Sequence, residues 1–151
     1  MKKTAAWALC AVWMAVIFFM SAMPGEVSGE QSGTITALLL SALRALGVPQ
    51  EAVPPALLEL LLRKGAHMAE YAVLFLLLLR ALRLSGARRP GLSALLMSAA
   101  YAATDEFHQM FSEGRGPSPL DVLIDTAGAG GGWGVLTLLS KRPKALPKEE
   151  G

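Results

Sequence analysis

An all-α polytopic membrane bundle is the fold this sequence predicts: four transmembrane helices with an additional short amphipathic, interfacial helix, in a single domain, 1–151. Three observations predict it. The chain is 53% hydrophobic and only 17% charged, where a soluble domain carries about 25% charged residues. Apolar runs, each near the ~20 residues that cross a bilayer, are separated by proline, glycine and charged segments. The basic residues gather in alternate connections, as the positive-inside rule describes.

The first run, 5–23, follows Lys2 and Lys3. A basic start, an apolar middle and the small residues Ser21 and Ala22 also describe a secretory signal, but the run is longer than most signal cores. A retained span is expected, with Trp7 and Trp13 as interfacial anchors. Cys10 is the only cysteine, which excludes an intrachain disulfide; a buried thiol packs as a small apolar group. Pro24 and Gly25 stop this helix, and 26–33 reads as a polar loop. The segment 34–46, TITALLLSALRAL, is apolar but short for a span. Thr34 or Thr36 can cap its start and Gly47 its end. It is expected to lie on the membrane surface or against the bundle. A linker, 49–55, follows.

The second span, 56–79, carries Glu59, Arg63, Lys64, His67 and Glu70 in its first half and no charge over 72–79. A short basic loop, 80–90, holds Arg80, Arg83, Arg88 and Arg89. The third span, 91–109, ends in Asp105, Glu106, His108 and Gln109. A loop with Arg115, Gly116 and Pro117 leads to the fourth span, 120–140, which opens with Asp121 and Asp125. The charged tail, 141–151, is assigned to the cytoplasm.

Charge orients the helices. Lys2, Lys3, the four arginines of 80–89 and the four basic residues of the tail fall on one side with only Glu149 and Glu150, a net +8. The other side keeps four basic residues and ten acids, a net −6. Both termini are therefore expected in the cytoplasm. The polar start of span two, the polar end of span three and the acidic start of span four then share the outer side. Helical spacing sharpens this, because residues three or four apart share a face. Lys64, His67 and Tyr71 do so, as do Arg63, His67 and Glu70. Asp105, His108 and Gln109 share a face, with Tyr101 one turn inward and Glu106 expected to point elsewhere. Asp121 and Asp125 lead on to Gly128, Ala129 and Gly132, small residues that let helices approach closely.

These blocks resemble the VanZ-like membrane protein family. The residues that carry the resemblance are Arg63-Lys64-Gly65-Ala66-His67 with Glu70-Tyr71, then Tyr101-Ala102 with Thr104-Asp105-Glu106-Phe107-His108-Gln109. Gly114-Arg115, Asp121-Val122 and Asp125-Thr126 complete them, with Ser21 and Pro24 after the first span. The resemblance covers nearly the whole chain, with 34–55 its least matched part. It implies a role in the cell envelope and an association with resistance to the lipoglycopeptide antibiotic teicoplanin.

Four chemistries suit such a set. Lys64 and Arg115 can neutralise Glu70, Asp105, Asp121 and Asp125 in a structural ion-pair network. His67 and His108, titrating nearest neutrality, can move protons, with Glu70 or Asp105 orienting an imidazole. That would be a hydrolase or transferase acting on a lipid or cell-wall precursor head group, its phosphate held by Lys64 and Arg115. His67, Glu70, Asp105 and His108 also offer ligands for a divalent metal. Finally, Arg63, Lys64, Tyr71, Tyr101, Glu106, Gln109, Arg115, Asp121 and Asp125 can line a binding pocket without turnover. Its partners would be membrane lipids, a lipid-linked cell-wall precursor or a lipoglycopeptide. Nucleic-acid binding is not expected, since topology accounts for the basic residues. Absence of an inverted repeat argues against a transporter.

Overall fold

The computed structural model describes residues 2–23, 25–111 and 118–140. Five α-helices follow in order: α1 (Lys3–Ser21), α2 (Gly25–Ala45), α3 (Pro55–Leu84), α4 (Pro90–Gln109) and α5 (Pro119–Ser140). A short 3₁₀ turn, Gln50–Ala52, precedes α3. No strand occurs among the described residues. Three helices open on proline, whose missing N–H is unneeded in the first turn. Gly47 and Gly86, both at positive φ, end α2 and α3. In each case the glycine N–H and the next N–H bond back to carbonyls of the last turn, the arrangement a left-handed glycine allows.

Two segments differ from expectation. Residues 26–33 are helical rather than looped, so α2 begins at Gly25. The Thr34 hydroxyl donates to the Glu30 carbonyl. Neither threonine caps a helix start, because no helix starts there. The basic loop is also shorter than expected: α3 continues through Arg80 and Arg83 to Leu84. Arginine is a good helix former, and both side chains stay exposed.

Helix α3 is central and packs against all four others. Tyr71, Leu74, Phe75, Leu78 and Ala81 of α3 are buried with Ala6, Cys10 and Ile17 of α1, Ala94 and Ala102 of α4, and Ala129 of α5. Trp7 donates to the Ser85 hydroxyl at 3.1 Å and Trp13 to the Glu70 carbonyl at 3.0 Å. The expected interfacial anchors thus tie α1 to α3, because an indole N–H removed from water needs an acceptor.

Helices α3 and α5 run parallel and touch at backbone level. A β-carbon on Gly128 would overlap the Met68 carbonyl and stand 2.6 Å from its Cα. One on Gly132 would lie 3.2 Å from the Ala72 carbonyl. Phe75 stacks on Trp133, ring centroids 5.9 Å apart, and the Trp133 ring lies against Gly91.

Large apolar side chains cover the outside, among them Val12, Phe19, Leu61, Leu96, Leu123 and Leu138. That surface suits hydrocarbon rather than water. Lys3–Ser21, Pro55–Leu84 and Pro119–Leu139 are long and apolar enough to cross a membrane. Helix α4 is not among these three. Its 20 residues extend about 30 Å, but Asp105, Glu106 and its hydroxyl residues lower its apolarity.

Gly128→Ala is expected to destabilise the bundle by about 1–3 kcal/mol through overpacking. Gly131→Ala meets nothing within 4 Å and is expected to be neutral or stabilising by up to about 1 kcal/mol. Thermal unfolding of the two variants in one detergent reads the difference.

Candidate functional site

The charged first half of α3 faces two ways, and the polar residues divide accordingly. Toward α4 and α5, Lys64 Nζ lies 2.6 Å from Asp121 Oδ1. Asp121 sits in the first turn of α5, where an acid is favoured by the unpaired N–H groups. Asp125, one turn on, is buried. Lys64, His67, Glu106, Gln109, Asp121, Ile124 and Asp125 line a small space of about 10 Å³. That is close to the least volume that admits one water. As it stands the cluster has room for about one water.

Glu106 is a correction to the expected helix face. It is buried, and its Oε1 accepts the backbone N–H of Ser118, which joins the end of α4 to the start of α5. The buried seam of α4 holds Ala102, Asp105, Glu106 and Gln109, wide enough to take in both 105 and 106. Gln109 donates to Ser21 Oγ at 2.6 Å and to Asp105 Oδ2 at 3.3 Å. This links α4 to the end of α1.

His108 and Tyr101 turn to α1 instead. The His108 ring lies 4.1 Å from that of Phe18, centroid to centroid. Tyr101 donates to the Met14 carbonyl. Tyr71 is fully buried in the core, its ring 6.4 Å from that of Tyr101. Its hydroxyl has no hydrogen-bond partner among the described residues. Arg115 lies outside the described residues, as do Pro24, Gly114 and the tail.

On its other side α3 forms a groove with α1 and α2, of about 500 Å³. Met20, Met23, Ile35, Leu61 and Leu62 give it an apolar lining, and Ser32, Arg63, His67 and Glu70 add polar groups. Arg63 donates to Glu59 Oε1 at 3.0 Å, and Ser32 donates to the same oxygen at 2.9 Å. The carboxylate so fixed fastens α2 to α3. Glu59 and Ser32 were missed as site residues. The four-residue spacing of Glu59 and Arg63 signalled their pairing, but nothing in the sequence brought Ser32 to them.

His67 borders both spaces. Its Nδ1 lies 3.5 Å from Glu70 Oε2, one turn along α3. The expected metal set does not assemble: His108 rests on Phe18. Among the described residues no three His, Cys, Asp or Glu side chains gather in a way that could hold a metal ion.

A helical bundle with an apolar exterior and three helices long and apolar enough to cross a bilayer defines the class as a membrane protein. The chain belongs to the VanZ/LLP1 family, whose model matches residues 6–140. No curated protein and no solved structure matches it.

Removing one partner of the Lys64–Asp121 pair is expected to cost more than removing both. Lys64→Met leaves Asp121 without its cation, and adding Asp121→Asn is expected to restore part of the loss. A non-additivity of roughly 0.5–3 kcal/mol is the expected coupling of two contacting groups. Unfolding of the two single variants and the double variant measures it.

Proposed function

We propose that this protein is a four-span protein of the bacterial cytoplasmic membrane, with α1, α3, α4 and α5 as spans and α2 as the helix beside them. Both termini are cytoplasmic and the charged end of the bundle faces outward. The polar residues there engage the head group of an envelope lipid or lipid-linked cell-wall precursor. By that route the protein would influence sensitivity to lipoglycopeptides such as teicoplanin.

The observation that carries this reading is the position of His67. It lies on an apolar groove large enough for a ligand and, at the same time, on the Lys64–Asp121–Asp125 cluster. Pockets that hold small ligands run from about 300 to 1,000 Å³, mostly apolar with a few placed polar groups, and the groove has that character. A ligand there would meet the apolar side chains of Met20, Ile35 and Leu61 while its head group meets Arg63, His67 and Glu70. The cluster behind His67 would fix the imidazole side of the groove rather than receive the ligand itself.

The His67–Glu70 contact favours one second reading, turnover of that head group. A carboxylate beside an imidazole orients it and supports a proton-transfer role. His67 would then act on a water or hydroxyl at the groove, with Arg63 holding the phosphate.

Orientation is tested with single cysteines in a Cys10→Ala background. Phe111→Cys is expected to react with an impermeant maleimide in intact cells, and Ala87→Cys only after lysis. The reverse pattern would place the charged end in the cytoplasm and end the proposal.

For function, His67→Ala is expected to leave abundance in the membrane normal while abolishing retention of a radiolabelled envelope lipid by purified protein. Phospholipids, undecaprenyl phosphates and peptidoglycan precursors are the set to present. His108→Ala, on the α1 side, is expected to retain binding. Release of product from the wild type favours the enzymatic reading. Failure of the wild type to retain any of the three would overturn the binding reading.

A further inference from the structure

The opposite end of the bundle carries a second groove. It lies between α3 and α5, has a volume of about 420 Å³, and is lined by Leu76, Leu79, Arg80, Arg83, Leu84 and Leu136. Arg80 and Arg83 stand three residues apart, so their side chains share a face. Both are exposed. Neither guanidinium pairs with an acid among the described residues. Residues 71–104 include no Asp or Glu at all. Beneath the arginines the lining is hydrocarbon: Leu79 is buried, Leu136 is half-buried, and Leu76 and Leu84 are exposed. The Trp7–Ser85 hydrogen bond brings the start of α1, with Lys2 and Lys3, to this same end.

We infer that this groove is a binding site for an anionic glycerophospholipid. Its phosphate sits between the Arg80 and Arg83 guanidinium groups, and one acyl chain runs along Leu76, Leu79 and Leu136. Charge complementarity selects the occupant. Planar guanidinium forks match phosphate oxygens, and basic pockets between membrane helices suit anionic head groups. A free anion would use the arginines and leave the leucines uncovered. An apolar peptide would cover the leucines and leave two cations unpaired. A lipid with a phosphate and a hydrocarbon chain satisfies both parts. The site uses neither the groove nor the cluster at the other end of α3, so it stands or falls apart from the function proposed there.

Native mass spectrometry tests it on full-length protein released from nanodiscs of phosphatidylglycerol and phosphatidylcholine in equal parts. The wild type is expected to retain phosphatidylglycerol about thirtyfold over phosphatidylcholine, the factor two arginines near a membrane surface supply. Arg80→Gln/Arg83→Gln changes only exposed side chains and is expected to lose that preference. Arg88→Gln/Arg89→Gln removes the same charge outside the groove and is expected to keep most of it. Leu136→Trp fills the groove without changing charge and is expected to lower retention. Equal retention of both lipids by the wild type would overturn the site. So would an unchanged preference in the Arg80/Arg83 variant. Equal losses in the two arginine pairs would also overturn it, since general attraction to the surface would then account for binding.

Discussion

The contact of α5 with the backbone of α3 sets the geometry of everything else. Gly128 and Gly132, one turn apart, sit against Met68 and Ala72, also one turn apart. Two parallel helices held this closely have a fixed register. One turn above Gly128, Asp125 is then carried to the level of His67, and Asp121 to Lys64. In an apolar surrounding a carboxylate without a partner is costly. Small residues without polar atoms thus decide which charges meet, and the charges decide where the bundle can hold polar chemistry.

Helix α3 also separates two environments. On one side the Lys64, Glu106, Gln109, Asp121 and Asp125 side chains fill their own space and leave room for about one water. On the other, the groove with α1 and α2 is open and mainly apolar. Clusters of the first kind rigidify when their groups are satisfied. Grooves of the second kind accept ligands. His67 is where they adjoin, bordering the polar network on one side and, on the other, a space a ligand could occupy.

Much of the helical framework was legible in the sequence because punctuation and apolarity agreed. Proline at 90 and 119 opens α4 and α5 within a residue of where the runs begin. The polar half of α2 and the last turn of α3 were not legible. Serine, threonine and arginine read as loop on composition, yet Ser32 bonds to Glu59 on the neighbouring helix. The inward turn of Asp121 and Asp125 followed from spacing, since the glycines after Asp125 marked the inward face of α5, but which of four acids would pair with Lys64 did not. Glu106 was misplaced, because a periodic reading of α4 allows a seam one residue wide. The observed seam includes both Asp105 and Glu106 and turns His108 to Phe18. Only the packed neighbours determine that rotation.

The 30 residues of α3 extend about 45 Å, half as long again as the ~30 Å hydrocarbon layer. The 19 residues of α1 and 20 of α4 match that layer closely. Such mismatch is relieved by leaning or by local thinning of the lipid. The long helix carries Arg63 and His67 in its first half and Arg80 and Arg83 in its last two turns. Any lean that lifts one set relative to the bilayer lowers the other, so the thickness of the surrounding membrane becomes a mechanical input shared by both ends.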